Sequence, residues 1–507
     1  MGVAGTVGPR SPLALALDVG SSSTRASLFD ARGGWVRKLE VRVPYTPTVT
    51  PDGGAELDPD HLLEQVALSI DRLSAEAGRA VELVGAVGVS TFWHSLIGLD
   101  GSGRPVTPLY PWLDARSRGE VRGLREKLNE KEVHARTGCV LHWSYLPAKI
   151  LWVSHNAPDA FKRVRRWVSF GEYLALRLFG RTAVGISMAS GTGLFNQHTL
   201  DWDDLILSAL LLDREQLSPL AGDGESFSGL RSEFAARWPF LKSVPWLPAV
   251  GDGASSNLGS GCTTRERLCL MVGTSAVMRV MWRADDVKIP RGLWCYRVDS
   301  RHPLLGAAMD DGGNLLGWLH SVLRLPGAAK LEQEIARMEP DGHGLTLLPL
   351  WAGERSPNWS LDATGAIVGL RLHTSAAEIA RAAMEAIAVR FGQVLRVMCQ
   401  AVPEVGEVVA SGGALLHSPA WMQIMADALG RPVGASRELE ASSRGAALKA
   451  LSVLGSAAGM ENAPPRVGRV FEPVAERSER YAEATERQAR LYDELIGGRQ
   501  PAGQGRA

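Results

Sequence analysis

Apolar and polar positions alternate in blocks along the chain, and the blocks predict alternating strands and helices. Leu13 to Leu17 is an unbroken apolar run; a polar turn follows, and Arg25 to Phe29 reads as the returning strand. The segment RLCLMVGTSAVMRVMW repeats that scheme, with Gly273, Thr274 and Ser275 at the turn. One strand–turn–strand unit in each half suggests a duplicated architecture. Between them, Asp58-Pro59 supplies an N-cap and a first-turn proline, and Leu62, Leu63, Val66, Ile70 and Leu73 follow at helical spacing. Ser375 and Glu378 form a capping box ahead of Ala380, Ala383, Met384, Ile387, Phe391, Val394, Leu395 and Met398. EVVASGG reads as a strand entering a Gly turn, and Ser418-Pro419 opens another helix. The chain is therefore α/β. Residues 1–11 read as a flexible leader, 12–250 and 251–470 as two domains meeting at VPWLPAVGDG, and 471–507 as a charged helix with a disordered tail.

The 507 residues suffice for two large domains, and 45% hydrophobic with 22% charged residues is ordinary globular composition. Lys+Arg and Asp+Glu are 55 each, so no global basic field exists to hold nucleic acid. The run Lys162, Arg163, Arg165, Arg166 reads as a solvated helix face. Five cysteines, odd in number and without a C-x-x-C pair, argue against a disulfide framework or zinc site and fit a cytoplasmic setting. No apolar run approaches the length of a membrane span. Nucleic acid and membrane are excluded as partners, and a homodimer is the assembly left open.

The polar turns carry the candidate chemistry. Asp18, Gly20, Ser21, Ser22, Ser23, Thr24 and Arg25 combine small residues that let backbone N–H groups approach phosphate with an acid able to hold Mg²⁺ through water. No Walker lysine follows. Gly273-Thr274-Ser275 has the same virtues. Asp252 stands between two glycines, which leave it open to whatever fills a cleft; taken alone it is also an ordinary Asp-Gly turn. A carboxylate near its usual pKa is still basic enough to take a hydroxyl proton late in phosphoryl transfer. Trp93 and His94, then Trp112 with Asp114 and Arg116, then His142 with Lys149, fall in expected loops and suit sugar recognition, with aromatic walls for C–H faces and polar groups for hydroxyls. Gly412, Gly413 and Ala414 offer a backbone surface for an adenine ring.

In this order the segments resemble the FGGY carbohydrate kinases, over residues 12–455. DVGSSSTR and VGTSAVMR look like the two phosphate motifs, ASGGALLHSPAWMQIMADALGRPV like the adenosine motif, and GDGASSNLGSG like the catalytic-Asp segment. HSLIGLDGSG and WLDARS look like sugar-binding loops. The resemblance implies two actin-like domains of the ribonuclease H-like, hexokinase/Hsp70 superfold with an active-site cleft between them. It also implies ATP and Mg²⁺ as cofactors, Asp252 as base, and Asp18 with Asp252 near the metal. TGCVLHWSYLPAKILW, ASGTGLFNQHTLDWD, GLTLLPLWAGERSPNW and EASSRGAALKAL are similar to gluconokinase segments, pointing to gluconate. Trp93, Val140, Trp143 and Ser144 depart from that pattern and keep xylulose, ribulose, erythritol or another aldonate open. A non-catalytic ATP sensor on the same superfold is the reading from another class, and it leaves His94, Asp114 and Asp252 without a purpose.

Overall fold

The computed structural model describes residues 11–455 and 464–497. The expected leader up to residue 10 and the tail beyond 497 lie outside the described residues. Two sheets organise the rest. The first contains β1 (Leu13–Val19), β2 (Ser23–Phe29), β3 (Trp35–Pro44), β4 (Val84–Thr91) and β5 (Val250–Gly251) in the order β5-β4-β1-β2-β3. The second contains β6 (Arg267–Val272), β7 (Ala276–Met281), β8 (Trp294–Asp299), β9 (His302–Met309), β10 (Glu407–Ser411), β11 (Val433–Ser436) and β12 (Val467–Phe471) in the order β8-β9-β7-β6-β10-β11-β12.

The two sheets share a plan. In the first, β1 pairs parallel to β4 and antiparallel to β2; β4 pairs parallel to β5 and β2 antiparallel to β3. In the second, β6 pairs parallel to β10 and antiparallel to β7, with β10 parallel to β11 and β7 antiparallel to β9. Strands β8 and β12 are added at the edges. The duplication inferred from the two hairpins is thus a duplicated five-stranded core.

The Leu/Ala alternation of β1 records two different neighbours. Leu13, Leu15 and Leu17 join the core that includes Leu62, Leu63, Val66 and Ile70 of helix α1 (Pro59–Ala77). Ala14 and Ala16 face the other way, onto Ala446, Ala447 and Ala450 of a later helix. Small residues there let a helix backbone lie close to the sheet: a Cβ at Gly88 of β4 would stand 2.0 Å from the Ala446 carbonyl oxygen. Asp58 caps α1, its Oδ1 accepting from Asp60 N (2.8 Å) and His61 N (3.1 Å), a device worth about 1 kcal/mol.

Further helices are α2 (Leu146–Asn156), α3 (Ile186–Ser190), α4 (Asp252–Gly259), α5 (Ala376–Met398), α6 (Pro419–Leu429), α7 (Ala441–Val453) and α8 (Ala475–Leu495). The capping box at Ser375 and the cap at Ser418 open α5 and α6. Helix α7 comes from the C-terminal interval yet packs on β1 and β4 and crosses α4. That crossing is tight: a Cβ at Gly259 or at Gly445 would sit 1.8 Å from the backbone oxygen of Ala441 or Ser255, respectively. Lys449 of α7 is tied to Asp299 of β8 by a buried ion pair of 2.9 Å. These contacts lock the two halves beside the residues considered next.

Candidate active site

Asp252 is the first residue of α4, directly after β5. Ser90 pairs with both Asp18 and Val250, so β1, β4 and β5 present their carboxyl ends side by side. At the usual strand spacing, Asp18 and Asp252 flank the end of β4 at roughly 10 Å. The glycines around Asp252 do a different job from the one read off the sequence. They do not leave it open; they let two large groups close on it. A Cβ at Gly251 would lie 1.9 Å from Cε2 of Trp93, and one at Gly253 2.5 Å from Nη1 of Arg279 and 2.6 Å from Cζ3 of Trp93. Asp252 is consequently half-buried, and its Oδ1 accepts the Gly253 N–H at 2.7 Å. Burial raises its pKa to about 6 against the opposing charge of Arg279. The expectation of an ordinary carboxylate is corrected by that environment: a stronger base, still mainly ionised at neutral pH.

The first polar turn divides between structure and surface. Ser21 and Ser22 are exposed, whereas Ser23 and Thr24 are buried. Ser23 Oγ accepts from Arg42 Nε (3.1 Å), and Thr24 Oγ1 donates to the Gln65 carbonyl of α1 (3.4 Å). Gly20 closes the turn by donating to Ser23 O (3.0 Å), and Tyr45 hydrogen-bonds the Gly20 carbonyl. Arg25 donates to Asp18 at 3.0 Å; Asp18 is buried, and burial raises its pKa against the pull of Arg25.

The second turn meets a segment the sequence reading passed over. Gly313 N donates to Gly273 O (2.7 Å) and Asn314 N to Thr274 O (3.1 Å). Gly412 has φ +91°, and a Cβ there would lie 2.3 Å from the Val272 carbonyl oxygen. A Cβ at Gly313 would come within 2.8 Å of the Ala414 methyl group. Three backbone turns, 273–275, 312–314 and 411–414, therefore converge at the end of β6. Asp-Asp-Gly-Gly-Asn at 310–314, a Gly pair opening a helix, was the available signal.

Sugar-type side chains gather where β8 meets the first half. His94 (φ +62°) holds Nδ1 2.7 Å from the Gly191 carbonyl, which places its proton on Nδ1 and leaves Nε2 as an acceptor. His142 Nδ1 accepts from Ser144 N (3.2 Å), so the Nε2–H is a donor, and it is buried without a partner among the described residues. Burial pushes His94 down to about 3, assisted by Lys149 and Arg355, and lowers His142 well below the usual imidazole range, so both stay neutral. Tyr296 of β8 lies 4.8 Å from Trp93 and 5.7 Å from His94, ring to ring, and its hydroxyl meets Tyr145 Oη at 2.7 Å. Trp359 stands 5.1 Å from His142.

Asp114 and Arg116 are not free groups facing this cluster. Asp114 is 3% exposed and accepts from Ala55 N (3.3 Å), Arg116 N (3.1 Å) and the Arg116 guanidinium. Arg116 also pairs with Glu56 (2.7 Å) and stacks 4.5 Å over Trp152. Asp114 and Arg116, expected as sugar ligands, pair with each other here and brace the 110–116 loop. Trp112 is half-buried on that loop. Lys149 lies on helix α2, not in a loop, and its ammonium binds the carbonyls of His94 (2.8 Å), Tyr110 (3.4 Å) and Pro111. Burial lowers its pKa to about 7. A separate groove of about 990 Å³ lined by Asp58, Asp60, Arg104 and Arg177 reaches Glu56 but none of Asp114, Arg116, Trp112, Lys149, His94 or His142.

A carboxylate at a helix start, small-residue turns at the ends of duplicated strands, and neutral polar groups among aromatic walls are the parts that a phosphotransferase acting on a hydroxylated substrate needs. Residues 13–259 match the N-terminal domain of the FGGY family of carbohydrate kinases, and 268–454 match its C-terminal domain. The chain belongs to that family and is an ATP-dependent carbohydrate kinase. It is 26% identical to a gluconokinase of Bacillus subtilis (strain 168) over 481 residues, 92% of this chain and 93% of that one. Among solved structures, a gluconate kinase from Lactobacillus acidophilus superposes with TM-score 0.88 at 26% identity, over 95% of this chain and 98% of the other. A xylulose kinase from Lactobacillus acidophilus gives TM-score 0.89 at 26% identity over the same shares. The two-domain actin-like fold is thereby established. No helix among the described residues is long and apolar enough to cross a membrane.

Proposed function

We propose that the enzyme transfers the γ-phosphoryl group of ATP to a terminal hydroxyl of a sugar acid, gluconate being the substrate, to give 6-phosphogluconate. The observation that carries the mechanism is Asp252, half-buried between Trp93 and Arg279, with its pKa raised to about 6. It accepts the hydroxyl proton as the oxygen attacks in line. Ser21, Ser22, Thr274 and the 312–314 turn bind phosphate oxygens, and Gly412, Gly413 and Ala414 floor the adenine. His94 Nε2 accepts from one sugar hydroxyl, the His142 Nε2–H donates to another, and Trp93 and Trp112 cover C–H faces. Asp114, Arg116 and Lys149 hold the loops in place.

Asp18 and Asp252 offer only oxygen donors and stand on either side of one strand end, a set that suits Mg²⁺ held partly through water. The ion, when bound, neutralises charge on the transferring phosphates. The gluconokinase relatives support gluconate over a ketose; Trp93 and Trp143 are why the choice needs testing. ATP consumption and product mass should be measured with gluconate, xylulose, ribulose, erythritol and glycerol. Gluconate should give the highest kcat/KM with an added phosphate in the product. A higher value for a neutral sugar would replace the substrate, and turnover of none would favour an ATP sensor.

A further inference from the structure

Helix α8 lies beyond residues 268–454, the interval matched to the family's C-terminal domain, and none of the roles above uses it. It is firmly seated on the second half. Gln488 Nε2 donates to the carbonyls of Leu347 (2.9 Å) and Ala386 (3.1 Å), Tyr481 Oη to Glu385 Oε1 (2.9 Å), and Arg487 Nε to Thr346 Oγ1 (2.9 Å). One further side chain reaches past this base. Tyr492, a turn beyond Gln488, donates its hydroxyl to Glu354 Oε2 at 2.6 Å.

Glu354 belongs to the segment WAGERSPNW, residues 351–359, and is only 2% exposed. Its Oε1 accepts from Asn358 Nδ2 (3.0 Å) and pairs with Arg390 of α5; among the described residues, Tyr492 is what satisfies Oε2. A buried carboxylate bound at both oxygens fixes the segment that carries it, and losing a partner there is costly. The residue after Asn358 is Trp359. Its φ is +53°, a conformation that a bulky residue holds only where its surroundings impose it. Trp359 Nε1 also donates to the Gly292 carbonyl (2.9 Å), and Ser356 N donates to the Ala308 carbonyl of β9 (3.0 Å). The indole so held stands 5.1 Å from His142 and 6.4 Å from Tyr145, ring to ring. Just beyond it, the Leu361 carbonyl accepts from Arg118 Nη2 (2.8 Å), whose guanidinium lies 4.5 Å over Trp143. This segment is therefore where the second half meets His142 and Trp143 of the first.

We propose that Tyr492, acting through Glu354, is a positioning residue for the sugar site: helix α8 sets where Trp359 stands against His142, and thereby the affinity for the sugar, without touching it. This rests on the reading of His142 as a sugar ligand. The same segment also faces the phosphate side, because Arg355 Nε pairs with Asp310 Oδ1 at 2.6 Å, two residues before the 312–314 turn. Which of the two KM values responds therefore separates a sugar role from a nucleotide role.

Sugar KM, ATP KM, kcat and melting temperature are compared in the full-length wild type, Tyr492→Phe, Glu354→Gln, Gln488→Leu and His142→Phe. The sugar is whichever member of the panel above the wild type turns over best, so a wrong substrate shows in the wild type alone and the variants still decide. Tyr492→Phe loses one hydroxyl and should raise the sugar KM about 3–10-fold, the fold-change of one net hydrogen bond, with kcat and ATP KM within about twofold. Glu354→Gln should act in the same direction, and the double variant should fall short of the product of the two, since both remove one shared contact. Gln488→Leu, which strips the base of the same helix, should melt at least as low as Tyr492→Phe yet keep the sugar KM within about twofold. An unchanged sugar KM in Tyr492→Phe would overturn the inference. So would an equal rise in Gln488→Leu, which would make α8 a general support of the fold, or a rise in ATP KM in place of sugar KM. Tyr492→Phe is nearly isosteric and decides the matter even if Glu354→Gln does not fold. His142→Phe tests the underlying reading by itself: a sugar KM unmoved there would remove His142 from the site, whatever Tyr492→Phe does.

Discussion

Replacing Asp252 by Asn should weaken the enzyme and strengthen the fold, and the two effects have one physical origin. The carboxyl pKa is raised from 3.8 to about 6 by burial, net of the attraction of Arg279. The folded state therefore binds that proton more tightly than the unfolded state. The cost of ionising Asp252 in the fold grows as pH rises from about 4 to about 6 and is complete above that. A shift of about 2 units corresponds to up to about 3 kcal/mol at pH 8. Asn is nearly the same shape, and its Oδ1 can still accept the Gly253 N–H, but it carries no charge to bury. The Asn variant should melt higher than wild type at pH 8, at roughly 2–4 °C per kcal/mol, and the difference should vanish near pH 4. Turnover should fall about 10²–10⁴-fold, as for loss of a general base. Wild-type kcat/KM should decline below an apparent pKa near 6. Calorimetric melts at both pH values and initial rates check these points together. A variant that melts lower at pH 8, or by the same margin at pH 4 and pH 8, would refute the burial account of Asp252.

Lys149→Met should cost about 3–5 kcal/mol, because the carbonyls of His94, Tyr110 and Pro111 lose a shared buried donor; denaturant unfolding and the sugar KM check it. Gly412→Ala should destabilise by about 2–4 kcal/mol, since φ is +91° and the added methyl meets the Val272 carbonyl, and the ATP KM should rise while the sugar KM holds. Glu440 is raised to about 7 by burial and by neighbouring Glu40, against the pull of Arg25, so its folding cost is present above pH 7 and gone below about 4.5. Glu440→Gln should therefore raise the melting temperature at pH 8, by about 1–3 kcal/mol of stability, and leave it unchanged at pH 4.

Local signals and pairwise contacts differ in how far a sequence can show them. The caps at Asp58, Ser375 and Ser418 and the hairpins at 18–25 and 273–275 depend on residues within a few positions of each other, and each is visible as spacing. The Leu/Ala alternation of β1 was legible as a strand but not as two faces with different partners, because Ala446 and Ala450 lie more than 400 positions away. Asp252 shows the same limit at the site. Its flanking glycines looked like exposure from nearby sequence alone. Only the fold reveals that Trp93 and Arg279, from β4's end and from β7, occupy the space those glycines vacate. Arg279 and Tyr296 belong to strands of the second half whose own patterns are apolar or commonplace, and they acquire chemistry only against His94, Trp93 and Asp252 of other segments. The arrangement follows from the duplicated sheets: each half supplies a polar turn at its central hairpin, and the edge strand β8 docks its aromatic side chains onto the other half. Side chains that meet across that junction have no reason to be spaced regularly in either half. That is why Asp252, Trp93, His94 and His142 could each be singled out from its own segment, whereas Arg279 and Tyr296, which close on them from the other half, could not.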